Sequence, residues 1–344
     1  MRPSLISGSL SLVHQMAKTA FMYTAAAGSF FLGHRSQIIA QYDGERPLEE
    51  AKRLAIFVHF DRRGKVHDFV VYYLQALRSA GFDLVFVSNS PRLESSAVER
   101  LRPLCTVILR RRNRGYDFGA YKDALSFVGD LSRLDEVILA NDSVYGPLTD
   151  LRSVLLRCDQ TKAAVWGGTD SWDNRYHLQS YFLLFKKEAL AHPAFAEFWR
   201  DVRYVPSKEW VIRKYEIGLT QAMVRNGLRC KALFSYRQAA SALTRAVLKD
   251  GLLSRKDLPE RHRRYISDLF VAIERGVPLN VTHCFWDYLI TELGCPFIKR
   301  ELILLNPARV PFVNQWETVL RTATRYDPDL ILRHLEMQAR GRAN

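Results

Sequence analysis

Asp142 follows the apolar run EVILA and stands between Asn141 and Ser143. A carboxylate that ends a buried strand, at the rim of a crevice, can hold Mg²⁺ or Mn²⁺. Such hard ions take oxygen ligands and usually share them with substrate phosphates. The same triplet can instead form an Asx turn ahead of Gly146-Pro147. Upstream, NRGYDFG (residues 113–119) sets two glycines and two turn-prone residues where a strand gives way to a helix. Backbone N–H groups at such a junction can hold a phosphate or a base edge. The glycine pair alone also fits a plain βα turn, but the basic run at residues 110–114 adds weight to the anion-holding reading. Downstream, Trp286 offers a ring that can stack on an apolar sugar face or pack in a core.

These residues need a scaffold that brings them to one edge. RLAIFVHFD (53–61), FDLVFVSNS (82–90), CTVILR (105–110) and EVILAND (136–142) are apolar runs ending in polar residues, as strands buried on both faces read. Between them Val66, Phe69, Val70, Tyr73 and Leu77 recur at helical spacing, closed by Gly81, and Phe118, Tyr121, Leu125 and Val128 do the same. Strands alternating with helices predict a parallel sheet with helices on its faces. Ligands bind beyond the carboxyl ends of such strands. One crevice is therefore expected to collect His59 and Asp61, Ser88 and Asn89, residues 112–117, and Asn141 to Ser143. Further strands are expected in AAVWGGTD (163–170), HLQSYFLLF (177–185) and residues 228–234, with helices over 189–202 and much of 238–277.

With 344 residues, 48% of them hydrophobic, the chain can bury a large core without disulfide staples. Its five cysteines make no C-x-x-C pair and no zinc-spaced cluster, so they are expected as small apolar thiols in a reducing, cytoplasmic setting. The net charge of +14 calls for an acidic partner. The basic residues are scattered and not interleaved with aromatics, which argues against nucleic acid. The first 42 residues hold no Asp or Glu, and TAFMYTAAAGSFFLG (19–33) is too short to span a bilayer. Two readings stay open there: a packed N-terminal helix, or a helix lying on an anionic membrane surface.

The order strand, N-x-G loop, helix, buried strand, short acidic motif resembles the nucleotide-sugar half of GT-A glycosyltransferases. A closer resemblance, over roughly residues 53–316, is to the rhamnan synthesis protein F family. It is carried by NRGYDFGAYKDAL, ANDSVYGPL, HLQSYFLLF, YEIGLT and THCFWDYLITELGCPFIKRELILLNP. The resemblance implies an α/β fold with a GT-A-like (Rossmann-like) mixed sheet flanked by helices, with helical N- and C-terminal additions. It divides the chain into residues 1–48 (helical), 49–237 (transferase core) and 238–344 (helical, completing the site).

The function it implies is transfer of a sugar with inversion, rhamnosyl transfer included, from a nucleotide-diphosphate donor such as dTDP-rhamnose. The acceptor would be a lipid-linked glycan growing at the inner face of the cell membrane. By resemblance to inverting GT-A enzymes, Glu216 falls in the base position. Asp142, with His283, would hold the divalent cation. Donor contacts would come from His59, Asp61, Asn89, Asn113, Arg114, Gly115, Asp117, Lys122 and Asn141. Acceptor contacts would come from Asp170, His177, Gln179 and Trp286. Where GT-A enzymes usually carry Asp-x-Asp, this chain has a single Asp, so strict metal dependence does not follow. That lone Asp also leaves open a non-catalytic glycan-assembly or glycan-binding protein on the same scaffold.

Overall fold

The computed structural model describes residues 35–343 together with Thr19, Tyr23, Thr24 and Ala27. Most of the acid-free N-terminal stretch, with its two readings, lies outside the described residues. Its end does not continue a helix: Ile38–Asp43 is a strand, β1, laid antiparallel along Val107–Arg111. Its alternating half-buried and exposed residues mark it as an edge strand. The expectation of a helical segment through residue 48 is corrected there.

The apolar runs fold as read. They give β2 (Arg53–His59), β3 (Asp83–Ser88), β4 (Val107–Arg111) and β5 (Glu136–Asn141). Val144–Tyr145 is β6, Val165–Gly167 β7, Asp170–Ser171 β8, His177–Leu178 β9, Phe182–Lys186 β10, Cys230–Ala232 β11 and Ile298–Lys299 β12. Eight strands form one sheet in the order β1-β4-β3-β2-β5-β10-β7-β11. Strands β2 to β5 are mutually parallel, so their carboxyl ends share one edge. Strand β10 runs antiparallel to both neighbours, which makes the sheet mixed, as the resemblance implies.

Alternation along each strand splits the core between the two faces. Ala55, Phe57, Leu84, Phe86 and Ile108 face one way, onto α1 (Asp68–Ser79) and α2 (Ser95–Leu101). Leu54, Ile56, Val58, Val85 and Leu109 face the other, onto α3 (Tyr116–Val128), α4 (Pro193–Asp201) and α5 (Ile217–Arg225). The C-terminal region adds α6 (Tyr236–Leu248), α7 (Glu260–Glu274), α8 (Arg300–Leu305) and α9 (Asp329–Ala343). Helix α9 is pinned to β6 by a buried hydrogen bond of 2.7 Å between Tyr145 Oη and His334 Nδ1. Burial pushes that imidazole down to about 3, which keeps it neutral.

Beneath the strand ends lies a buried guanidinium. Arg111, the last residue of β4, has no exposed surface. Its Nε donates to Asp123 Oδ2 at 2.7 Å, Nη1 to Asn89 Oδ1 at 2.6 Å and Nη2 to the Arg114 carbonyl at 2.7 Å. The hydroxyl of Tyr204 donates to the other oxygen of Asp123 at 2.5 Å. One ion pair thus joins β3, β4, α3 and the turn between them. Removing one partner of such a pair strands the other charge in the core. Asp123→Ala is expected to lower the urea unfolding free energy by about 3–5 kcal/mol. Asp135→Ala, which breaks an exposed pair with Lys187, should cost less than about 1 kcal/mol. Equal losses from the two variants would show that the buried pair is not the stronger constraint.

Candidate functional site

Several polar residues at the strand ends hold the edge together rather than face a ligand. His59 is buried, with Nε2 3.0 Å from the Lys65 carbonyl and Nδ1 3.4 Å from Ser88 Oγ. Asp61 organises the loop after β2. It accepts from the backbone N–H of Arg63 at 2.8 Å and of Lys65 at 3.0 Å, and lies 3.3 Å from His67 Nε2. Burial raises its pKa, but the bond to His67 and the two backbone bonds outweigh it and hold the carboxyl far below its usual range. Asn89 serves Arg111. Lys122, expected at the donor, instead donates to the carbonyls of Arg200, at 2.9 Å, and Val202, at 2.5 Å. It caps the C-terminus of α4, where carbonyls lack partners.

The turn into α3 is built for close approach. Gly115 has φ +76° and Tyr116 φ +50°, and a Cβ on Gly119 would lie 2.3 Å from the Arg114 carbonyl oxygen. Only glycine fits position 119, and a left-handed 115 favours it. Asn113 and Arg114 are exposed on this turn. The turn sets Asp117 in the first turn of α3, where Asn141 Nδ2 donates to its Oδ2 at 3.0 Å. Asn141 is itself held by Ser143, whose hydroxyl donates to Asn141 Oδ1 at 2.6 Å.

Asp117 is the centre of a charge cluster. Burial, then the charges of Asp142 and Glu216, push its carboxyl up to about 7, against the pull of Lys299 and Lys208. Glu216 is half-buried at the end of a π-helical turn (Val211–Glu216), a distortion often found at functional sites. Its Oε1 accepts from the Ser180 N–H at 2.9 Å. The structure thus brings Glu216, Asp117, Asn141 and Asp142 to one place.

Two cations complete the cluster, and neither was singled out in the sequence. Strand β12 pairs antiparallel with β6, setting Lys299 opposite Val144. Lys299 Nζ lies 3.4 Å from Ser143 Oγ and 4.4 Å from the centre of the Tyr181 ring. Burial lowers its pKa; Glu216, Glu301 and Asp117 oppose that. Arg300 Nη1 lies 2.9 Å from Asp142 Oδ2 and also donates to the Asp142 carbonyl. The signal was two adjacent cations after the apolar pair Phe297-Ile298, in a stretch broken by Pro296.

The residues present do not fit a resident divalent cation. The Asp142 carboxylate is paired with a guanidinium, and the Phe60 N–H approaches the same oxygen at 3.4 Å. His283 is buried on a short helix, and the charges that reach it are those of Glu301 and Lys299. Burial lowers its pKa, Glu301 opposes that and Lys299 adds to it. Among the described residues no group of three His, Cys, Asp or Glu is placed to hold a metal. This geometry speaks against the metal-ligand expectations for Asp142 and for His283.

On the expected acceptor side, Asp170 and His177 belong to the β8–β9 hairpin. Asp170 accepts from the Tyr236 N–H at 2.6 Å at the start of α6, and His177 Nδ1 lies 2.8 Å from the Arg175 carbonyl. Gln179 accepts from the Thr169 hydroxyl at 2.5 Å. Trp286 is 1% exposed and packs against Phe312, so it is core and cannot stack on a sugar. On this side the exposed aromatic is Trp172, at 51%, its ring centre 5.0 Å from that of half-buried Tyr176.

The cluster has a cost in stability that pH reveals. An aspartate that holds its proton more tightly folded than unfolded weakens the fold as pH rises above the unfolded value of 3.8, in full above about 7. Asp117→Asn removes that penalty. At pH 8 it should be more stable than the parent by roughly 1 kcal/mol or more, a gap that closes below pH 4. Thermal unfolding at the two pH values checks this, and a variant less stable at both would refute it.

Comparison with known proteins gives the cluster its context. A family model described as rhamnan synthesis protein F matches residues 84–251. The virulence protein VirA of Vibrio anguillarum is 30% identical over 271 residues, 77% of this chain and 83% of the relative. An uncharacterised protein, y4gN, of Sinorhizobium fredii is 29% identical over 198 residues, 56% of this chain and 51% of that protein. Among solved structures, a galactosyltransferase, LgtC, in complex with donor and acceptor sugar analogues aligns at 12% identity and a TM-score of 0.36. That alignment spans 80% of this chain and 98% of that one. A cytidylyltransferase of Leptospira borgpetersenii aligns at 11% identity and a TM-score of 0.32, over 53% and 76%. The sequence kinship covers the βα turn, the Asp142 strand and the Glu216 helix, and the chain belongs to the rhamnan synthesis protein F family.

Proposed function

We propose that this chain is an inverting glycosyltransferase that moves a sugar, rhamnose from dTDP-rhamnose being the first donor to try, onto a growing bacterial surface polysaccharide. One observation carries the reading: Asp117, Asp142, Glu216 and Lys299 gather beyond the carboxyl edge of four parallel strands, the place where α/β sheets bind ligands. Family membership supports a rhamnan-type glycan as the product.

In this reading Glu216 is the general base. Its carboxylate takes the proton of an acceptor hydroxyl as that oxygen attacks the anomeric carbon of the donor. A new C–O bond forms, the bond from the anomeric carbon to the diphosphate oxygen breaks, and the nucleoside diphosphate leaves with the electron pair. Attack from the face opposite the leaving group inverts the configuration. The Ser180 N–H fixes the Glu216 carboxylate through one oxygen and leaves the other to accept the proton. Asn113, Arg114 and Gly115 flank the nucleotide side, where turn N–H groups and an exposed guanidinium suit phosphate.

The acceptor is assigned to the β8–β9 hairpin. Beside it runs a groove of about 680 Å³ lined by Trp172, Tyr236, Leu248 and Ile273, with Arg237 and Lys249 among its walls. Apolar walls with exposed cations suit a lipid-linked glycan, whose chain is greasy and whose head is anionic. No helix among the described residues is long and apolar enough to cross a membrane.

Glu216→Gln keeps the shape and the Ser180 bond while removing basicity. It is expected to slow sugar transfer by roughly 10²-fold or more, with donor affinity nearly unchanged. Nucleotide release from a set of sugar donors, with a rhamnan acceptor, measures both. Ordinary turnover in the variant would sink the base assignment. A parent protein that binds donors and glycans but transfers nothing would favour a glycan-binding role.

A further inference from the structure

Resting on the transferase reading, we propose that Lys299 and Arg300 do the work elsewhere given to a divalent ion: they bind the donor diphosphate, and the site needs no metal. The placement is fixed by backbone. Strand β12 pairs Lys299 with Val144 and Ile298 with Tyr145, and the Arg300 N–H donates to the Ser143 carbonyl at 3.0 Å. Two cations are thereby locked against residues 142–145, at the end of the strand where a metal would be sought.

The ammonium is under-used. Lys299 Nζ has three N–H donors, and its one hydrogen-bond partner among the described residues is Ser143 Oγ at 3.4 Å. Tyr181 covers another side with its ring face. No carboxylate lies within ion-pairing distance of it among the described residues, although Asp117, Glu216 and Glu301 act on it from farther off. Arg300 engages Asp142 through Nη1, and its Nε is buried with no partner among the described residues. A half-buried ammonium with donors to spare, beside a guanidinium whose Nε has no partner among the described residues, is what an anion with several acceptor oxygens would satisfy.

The same geometry opposes a metal. An ion bound at Asp142 would displace a guanidinium 2.9 Å away or share the carboxylate with it, and both arrangements set like charges together. A diphosphate meets the opposite situation. The ammonium acts as a mobile point charge on one phosphate, and the guanidinium as a fixed fork on the next. As the bond to the anomeric carbon breaks, the charge growing on the leaving diphosphate is met by groups already in place.

The test uses the full chain, stripped with EDTA, and calorimetric titration with inorganic pyrophosphate and with UDP, GDP, CDP and dTDP. At least one nucleoside diphosphate is expected to bind in EDTA, and Mn²⁺ should not tighten it by more than about twofold. Lys299→Met should weaken binding roughly tenfold or more, and Lys299→Arg should recover most of that loss. Unfolding curves of the two variants check that both remain folded. Binding that appears only with Mn²⁺, or a folded Lys299→Met variant that binds like the parent, overturns the metal-free site and leaves the transferase reading standing. No binding of any probe, with or without Mn²⁺, overturns both.

Discussion

The buried pair between Arg111 and Asp123 is the constraint on which the site depends. Neither side chain has meaningful exposure, at 0% and 1%. A guanidinium so placed is tolerable only if nearly every donor is matched, because its desolvation is not repaid by one carboxylate alone. The matching is what shapes the edge. One donor goes to Asn89, which fixes the end of β3. Another goes to the Arg114 carbonyl, which fixes the turn. With that carbonyl pulled inward the chain must turn back through left-handed residues 115 and 116 and pass close to Gly119. Asp117 therefore takes its place because Arg111 lies beneath it. The motif NRGYDFG reads as a ligand loop, yet much of its geometry answers to a core ion pair.

A second constraint comes from far along the chain. The ladder of β6 and β12 is only two residues long on each side, but it ties the end of β5 to residues more than 150 positions away. Helix α9 supports β6 from the other side through His334 and Tyr145. So short a two-stranded ladder would not be stable without that helix. Together they place positive charge opposite carboxylates that the main sheet supplies. Opposite charges thus arrive on separate elements, which lets the fold hold them near each other without pairing all of them.

How much of this was legible in the sequence depended on how each residue's partner was encoded. Strands β2 to β5 were readable because burial on both faces demands unbroken apolar runs, and that demand is local. Strand β1 was hidden because an edge strand needs only half its residues apolar. HLQSYFLLF read as one strand, but it is two, broken at Ser180, whose N–H is turned towards Glu216. The cluster of Asp117, Asn141, Asp142 and Glu216 could be approached from strand ends and family motifs. Lys299 and Arg300 could not, since nothing in their neighbourhood says which strand they pair with. Lys122 was misplaced for the same reason: its partners, two carbonyls at the end of α4, carry no side-chain signature.

The physics of the cluster also explains why it stays open. Asp117, Asp142 and Glu216 repel one another, and each finds a different relief. Asp142 takes Arg300, Glu216 takes a backbone N–H, and Asp117 takes a proton near neutral pH together with the amide of Asn141. Had Lys299 closed onto one of the carboxylates, the repulsion would be quieter and the ammonium would be satisfied. The β12 backbone and the Tyr181 ring instead hold it apart. A fold selected only for stability would let that pair form, because a half-buried ammonium without a counter-ion is costly to keep. The separation is therefore imposed by the scaffold, which keeps one positive charge ready near Asp117 and Glu216.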